Sequence, residues 1–163
     1  MYKGVQNIFA GDFHSGKSER ILIREFNPGD IGRVYEIECE SFEDPYHPLF
    51  LLNLHEAYHD TFLVALENER AVGYVISRVV NLSGHVLAIA VDPRNRDRGV
   101  GNALMESTIK RLKDFGVMNV WLEVRISNYG AIDFYKKLGF AEGGIIRAYY
   151  LDLEDAIILK KLI

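Results

Sequence analysis

A carboxylate stands inside a segment that otherwise predicts a buried strand. Residues 120–124 are apolar except for Glu123, and β-strand alternation places Trp121, Glu123 and Arg125 on one face. A carboxylate in such a place can accept the proton of an attacking amine, directly or through water. The alternative role is a structural salt bridge, for which Arg125 is a candidate partner. The pattern therefore makes Glu123 a candidate general base.

A tyrosine lies on the helix predicted after that strand. Ala131, Tyr135 and Leu138 form one stripe at helical spacing. A phenol can donate a proton to a negatively charged leaving atom, but an aromatic residue at this spacing also suits a core. Tyr135 is thus a candidate acid with a structural alternative. His85, at the start of an apolar strand, is a weaker candidate, since a lone histidine is more often structural.

A turn containing glycines has the context of a phosphate site. Residues 96–101, Arg-Asp-Arg-Gly-Val-Gly, follow an apolar strand predicted over 85–91 and open an amphipathic helix. Glycine lets a ligand approach backbone amides, and a helix N-terminus favours negative charge. Arg94, Arg96 and Arg98 add cationic donors beside it. The alternative is an ordinary helix start with solvated arginines, but the strand–turn–helix order favours a phosphate ligand.

Residues 11–18 match the phosphate-loop pattern G-x-x-x-x-G-K-[ST] in full. That site needs a strand before it and a helix after it. The residues that follow predict a strand instead, and Pro28 ends it. We therefore expect a flexible tail here rather than a nucleotide hydrolase.

Composition limits the class of protein. The chain has 163 residues, a net charge of −4, 48% hydrophobic and 26% charged residues, as in a single globular domain. One cysteine, Cys39, excludes an internal disulfide and a multi-cysteine zinc site. The negative charge argues against nucleic-acid and anionic-membrane binding over the whole surface. No apolar run reaches the roughly 18 residues of a membrane span, and no secretory signal is evident, so we expect a cytoplasmic protein.

The spacing of apolar residues along the chain alternates between that of strands and that of helices. The predicted order is strand, two helices, three strands, helix, strand, helix and a closing hairpin of residues 145–150 with 156–162. This order predicts an α+β protein with a mixed sheet and crossover helices. Residues 1–20 form an extension, either a tail or an added edge element, and residues 21–163 form the domain.

At this point the sequence resembles the GNAT superfamily of acetyl-CoA-dependent N-acetyltransferases, over about residues 21–163. Residues 96–101 match the family's pyrophosphate loop, R/Q-x-x-G-x-G/A. A second block matches in the spacing of Leu-Glu-Val-Arg at 122–125, Ser-Asn at 127–128, Phe-Tyr at 134–135 and Leu-Gly-Phe at 138–140. The resemblance implies a GNAT-like mixed, mainly antiparallel sheet with splayed central strands, flanked by helices.

The resemblance also implies acetyl-CoA as co-substrate, no metal, and direct transfer in a ternary complex. Glu123 is then the general base and Tyr135 the acid for the leaving thiolate. The backbone near Ile89, Ala90 and Val91 binds the pantetheine arm. The remaining implied cofactor contacts are Arg96, Asp97, Arg98, Gly99, Val100, Gly101, Asn102, Asn128 and Tyr135.

Within the superfamily, the chain looks like the protein N-terminal acetyltransferases. That likeness implies a protein or peptide N-terminus as acceptor, bound by Glu43, Tyr46, Tyr149 and Tyr150, with no nucleic-acid or membrane partner. It also allows an auxiliary subunit or a homodimer. The alternatives are acetylation of lysine side chains or small amines, and a non-catalytic acyl-CoA-binding module. The presence of both Glu123 and Tyr135 favours catalysis.

Overall fold

The computed structural model describes residues 8–9 and 21–163, which form two compact units. Of the described residues, the first unit comprises 8–9, 21–77 and 88–111, and the second comprises 78–87 and 112–163. The phosphate-loop pattern at 11–18 lies outside the described residues.

The first unit is built on antiparallel strands. These are β1 (Ile8–Phe9), β2 (Leu22–Glu25), β3 (Phe62–Glu67) and β4 (Arg70–Val80), the last of which continues into the second unit. Residues 62–66 of β3 are all buried, as expected for a strand packed on both faces. Two helices, α1 (Ile31–Ser41) and α2 (Pro48–Tyr58), connect β2 to β3.

The first unit's core combines the apolar faces of these elements. Its largest fully buried side chains are Val34, Ile37, Leu51, Phe62, Val64, Tyr74, Ile76, Leu104 and Met105. The last two belong to α3 (Val100–Asp114), which starts in this unit.

The second unit holds the remaining strands and the last helix. β5 (Ser83–Val91) starts here, followed by β6 (Asn119–Arg125), α4 (Tyr129–Lys137), β7 (Ala141–Ile146) and β8 (Ala156–Leu162). The strand order is β5-β6-β8-β7, with β8 antiparallel to both of its neighbours. Val120, Leu122 and Val124 of β6 are buried, whereas the alternate residues are less so, which confirms the predicted alternation.

β5 and β6 are parallel and pair over only three residues. The pairs are Ser83 with Asn119, Gly84 with Val120, and His85 with Trp121. β5 continues to Val91 and β6 to Arg125, but the pairing between the two strands ends at His85 and Trp121. This is the splayed pair in a mostly antiparallel mixed sheet that the sequence predicts.

The order of elements from β2 onward is also as predicted, but the closing hairpin is displaced. β7 spans Ala141–Ile146 rather than residues 145–150, so Tyr149 and Tyr150 lie in the loop before β8. The β-propensity of the Ile-Ile and Tyr-Tyr pairs suggests one longer strand. Ionic contacts of the loop, described below, override that preference. In the described part of the chain, no helix combines the length and apolar character needed to cross a bilayer.

Gly73 of β4 provides a test of packing in the first unit. A Cβ at this position would lie 2.9 Å from the carbonyl oxygen of Ala90 and 3.1 Å from Leu104. Since a backbone carbonyl cannot move aside cheaply, we expect Gly73→Ala to lower the free energy of unfolding by about 2 kcal/mol. Urea denaturation measures this change.

Gly32 of α1 is the matched control. A Cβ there meets no atom within 4 Å, and alanine is the better helix former, so Gly32→Ala should stabilise the protein by about 0.5 kcal/mol. Equal stabilities of Gly73→Ala and wild type would show that the close approach to Ala90 is wrong.

Candidate active site

A buried acid–imidazole pair lies in the second unit. Nε2 of His85 is 2.7 Å from Oε2 of Glu123, and the two side chains are only 7% and 11% exposed. Because these groups are largely withdrawn from water, the hydrogen bond between them holds both in a defined geometry. Glu123 therefore pairs with His85 and not with Arg125, the partner considered from sequence.

Strand register explains why the two side chains meet. His85 and Trp121 are the last residue pair of β5 and β6, and their rings stack at 3.6 Å with an interplanar angle of 7°. Glu123 is two residues beyond Trp121 and therefore on the same face of β6. The stacked indole fixes the imidazole, and the imidazole reaches the carboxylate.

Tyr135 lies on α4 and is buried. Its ring packs edge-on against Phe134 and Phe140, at centroid distances of 5.0 and 5.6 Å. Burial, and secondarily the nearby Tyr150 phenol, raise the pKa of Tyr135 above its ordinary value. The phenol thus stays protonated at neutral pH, as a hydrogen-bond donor must.

The loop between β7 and β8 is tied to the end of β6 by one arginine. The Arg125 guanidinium donates to Asp152 at 2.7 Å and to Glu154 at 2.8 Å, and it lies 4.0 Å from the centroid of the Tyr150 ring. Glu154 also accepts a hydrogen bond from the Ser127 amide at 2.9 Å. The contacts with Ser127 and Arg125 lower the pKa of Glu154 to about 2. The loop that carries Tyr149 and Tyr150 is therefore held by charge.

Tyr150 is half-buried beside this network, and its ring meets that of Tyr149 edge-on at 5.1 Å. Burial raises the pKa of Tyr150 to about 12, an effect that the Arg125 cation partly opposes and the Glu123 carboxylate reinforces. The structure thus brings Glu123, Tyr135 and Tyr150, three of the residues singled out from sequence, into one electrostatic neighbourhood. Tyr149 is on the exposed side of the same loop.

The glycine turn lies in the first unit, between β5 and α3. Asp97 and Gly99 have φ of +60° and +81°, and α3 begins at Val100. The first helical hydrogen bond runs from the Ala103 amide to the Gly99 carbonyl, so the amides of Val100, Gly101 and Asn102 have no acceptor within the helix. A Cβ on Gly99 would meet no atom within 4 Å, which leaves open space over the backbone. The turn can receive a phosphate group.

Buried Asp92 organises the start of this turn. It accepts hydrogen bonds from Arg33 and from the Arg94 side chain at 3.0 Å, and it caps the short turn at Pro93–Asn95. The Arg33 and Arg94 cations, with the hydrogen bonds from Arg94 as the larger effect, lower the pKa of Asp92 despite its burial. The carboxylate is thus a fixed anchor for the turn.

The other two arginines of the turn are exposed. Arg96 donates to the Val91 carbonyl at 3.2 Å, and Arg98 forms a 3.0 Å ion pair with Glu67. On β5, Ile89 and Val91 are half-buried and Ala90 is buried. Asn128 caps α4 in the second unit, where its Oδ1 accepts from the Ala131 amide at 3.0 Å. This cap leaves the Nδ2 group of Asn128 available to donate to a ligand.

The loop between α1 and α2 holds the other candidate acceptor residues. Glu43 is exposed, and the half-buried Tyr46 packs its ring against Phe50 at 5.0 Å. The backbone amide of Tyr46 donates to Oε1 of Glu38 at 2.9 Å. Glu38 is only 2% exposed, and its other oxygen is buried without a partner. This buried carboxylate anchors the loop.

The sequence alone makes His85 only a weak candidate, and it does not identify Glu38 as a buried group. Nothing in the sequence sets the register between β5 and β6, so the contact of His85 with Glu123 cannot be derived from spacing. Among residues 8–9 and 21–163, no three His, Cys, Asp or Glu side chains cluster as a candidate metal site.

Comparisons with known proteins identify similar sequences and a similar fold. A model of the acetyltransferase (GNAT) family matches residues 31–140. An N-alpha-acetyltransferase of Sulfurisphaera tokodaii is 34% identical over 156 residues, covering 88% of this chain and 93% of that protein. The ribosomal protein bS18-alanine N-acetyltransferase of Escherichia coli K12 is 38% identical over 134 residues, covering 80% and 89%. The crystal structure of Ard1 from Thermoplasma volcanium superposes with a TM-score of 0.85 at 34% identity, covering 88% and 97%.

The buried Glu38 should make the stability of the protein depend on pH. Burial raises its pKa from 4.5 to about 7, so between these values the folded protein keeps a proton that the unfolded chain has lost. Stability relative to a Glu38→Gln variant should therefore fall as pH rises from about 4.5 to about 7, by about 3 kcal/mol, and then level off. Urea denaturation at a series of pH values measures the difference.

The exposed Glu40 on the same helix provides the control for loss of one negative charge. If wild type and Glu38→Gln share one pH dependence while Glu40→Gln behaves like wild type, the burial of Glu38 is wrong.

Proposed function

The chain belongs to the acetyltransferase (GNAT) family, and on that premise we propose that it transfers acetyl from acetyl-CoA to the N-terminal α-amino group of a protein or peptide. Relatives that act on protein N-termini, by their names, are 34% and 38% identical to it over most of both chains. The observation that carries the proposal is the buried Glu123–His85 pair. It supplies a proton acceptor where an amine must lose its proton before it attacks.

Residues 21–163 are proposed as the acetyltransferase domain, and the glycine turn as the site of the donor's pyrophosphate. The free amides at the start of α3, the open backbone at Gly99 and the exposed Arg96 and Arg98 suit an anion of this kind. Asp97, Val100, Gly101 and Asn102 contribute through their backbone. When bound, acetyl-CoA supplies an activated acetyl carbonyl and a thiol leaving group.

We assign the pantetheine arm to the backbone of Ile89, Ala90 and Val91. β5 stops pairing with β6 at His85, so the strand end beyond that point is not engaged by β6 and can bond a ligand amide. Asn128 is proposed to contact the donor through Nδ2, since its Oδ1 caps α4.

Glu123 is proposed to take the proton from the acceptor ammonium, directly or through water. The α-amine has a pKa of about 8 against about 10.4 for lysine, so at pH 7 its neutral fraction is roughly 200-fold larger. A carboxylate therefore suffices as base for an N-terminus. Tyr135, whose phenol is protonated at neutral pH, is proposed to donate to the thiolate as it leaves.

The acceptor chain is proposed to contact loops that carry aromatic and acidic groups. Tyr149 and Tyr150 belong to the loop that Arg125 braces, and Glu43 and Tyr46 to the loop that Glu38 anchors. Preformed loops of this kind position an extended peptide end at small entropic cost. With the amine beside a base and the donor bound, we infer direct transfer in a ternary complex without an acetyl-enzyme.

A glycine comparison tests the donor site. Gly99→Val and Gly116→Val both place a β-branched residue at positive φ, +81° and +75°, in open space. Both should cost about 1–2 kcal/mol of stability from backbone strain. Only Gly99→Val should obstruct the backbone amides, with acetyl-CoA affinity falling at least about 10-fold by calorimetry, because those amides supply most of the anion contacts. Wild-type affinity in a folded Gly99→Val variant would reject this donor site.

Two peptides of one sequence test the acceptor. Each contains an internal lysine, and one has its N-terminus blocked by acetylation. Mass spectrometry should place the new acetyl group on the free N-terminus and find little transfer to the blocked peptide, because lysine is far less often neutral. Equal acetylation of both peptides on lysine would reject the α-amine as acceptor and favour the lysine alternative.

A further inference from the structure

The turn between β4 and β5 places an arginine opposite the imidazole of the candidate active site. Asn81 and Leu82 form a two-residue connection, and both have positive φ, +48° and +62°. This is the backbone of a tight hairpin turn, in which Val80 faces Ser83 and Arg78 therefore faces His85. The Nε of Arg78 lies 3.3 Å from Nδ1 of His85.

This contact decides which imidazole nitrogen carries a proton. A guanidinium is charged throughout the working pH range and can only donate hydrogen bonds. Nδ1 must therefore offer its lone pair to Arg78, and a neutral ring with a bare Nδ1 carries its proton on Nε2. Nε2 faces Oε2 of Glu123 at 2.7 Å, and a carboxylate is the acceptor that such an N–H requires. The contacts of the two ring nitrogens therefore favour the same tautomer.

We propose that Arg78 is a positioning residue that holds His85 as the neutral Nε2–H tautomer, so that the imidazole donates to Glu123 and orients its carboxylate. The role of this orientation in catalysis rests on the proposed function, in which Glu123 accepts the proton of the amine. The tautomer itself does not, because it follows from the contacts alone.

The chain of contacts is rigid at each link. His85 is buried, and its stack on Trp121 holds the plane of the ring. A half-turn of the ring in that plane would put Cδ2 in place of Nδ1 and Cε1 in place of Nε2, and would lose the contacts with both Arg78 and Glu123. Arg78 is half-buried on the strand next to β5, within the same unit as His85 and Glu123. Loss of the Arg78 donor would leave Nδ1 without this partner, so that only the contact with Glu123 would still select the tautomer.

Two-bond proton–nitrogen NMR spectra of the full chain labelled with ¹⁵N-histidine test the assignment. The chain has five histidines, and the spectrum of His85→Gln identifies the signals of His85 by their loss. In the wild type we expect a protonated Nε2 and a bare Nδ1. In Arg78→Met the signals should shift towards a mixture of tautomers, whereas Arg78→Lys, which keeps a donor, should retain much of the wild-type pattern. A protonated Nδ1 in the wild type would overturn the proposal even if Arg78→Met failed to fold.

Kinetics provide the second readout. Arg78→Met should lower kcat on the order of 10-fold, less than the loss of a general base, and should leave KM for acetyl-CoA unchanged. Arg78→Lys should recover part of that loss. The matched control is Arg70→Met at the exposed start of β4, which should keep the wild-type kcat and spectrum.

The two readouts separate the inference from the proposed function. A wild-type tautomer in Arg78→Met would overturn the role of Arg78 while leaving N-terminal acetylation intact. A protein that shows the Nε2–H tautomer but acetylates no peptide N-terminus would instead reject the proposed function.

Discussion

The early end of the pairing between β5 and β6 is the constraint on which the candidate chemistry depends. Two parallel strands that paired along their full length would satisfy every backbone group within the sheet. Here the pairing ends at His85 and Trp121, and the stacked rings of these residues close it. The first residue beyond Trp121 on the same face is Glu123, which therefore meets His85. One feature of register thus creates both a strand end that β6 does not pair and a largely buried acid–imidazole pair.

Three carboxylates lie at low exposure, and the partners of each one determine whether its charge is compensated. Glu123 keeps a hydrogen-bond donor beside it, and Asp92 keeps two arginines, so each buried carboxylate is compensated. Glu38 accepts from the Tyr46 amide with one oxygen while its other oxygen is buried without a partner, and burial raises its pKa to about 7. Both loops proposed to bind the acceptor are therefore attached through ionisable groups, one by Glu38 and the other by Arg125.

Sequence predicts the elements well and the contacts between them poorly. Alternation along β6 places Glu123 on the less buried face, and the glycine turn is recognisable from its strand–turn–helix context. The pairing of Glu123 with His85 depends on register between strands 38 residues apart, which no local pattern encodes. The position of β7 is missed for a related reason, because contacts of Arg125, Asp152 and Glu154 hold residues 147–155 as a loop despite their β-propensity. Burial of Glu38 likewise follows from packing that helical spacing does not reveal.

The role of Glu123 as the proton acceptor is the central claim, and a single-turnover experiment tests it most directly. Wild type and Glu123→Gln, each with acetyl-CoA already bound, are mixed with an excess of a peptide that has a free N-terminus, and product is quantified after rapid quenching. Glutamine preserves the size of the side chain but cannot accept the proton. We expect the rate constant for transfer by Glu123→Gln to be lower by about 10²–10⁴-fold, with unchanged affinity for acetyl-CoA. A Glu123→Gln protein that transfers acetyl at the wild-type rate across the pH range would contradict it.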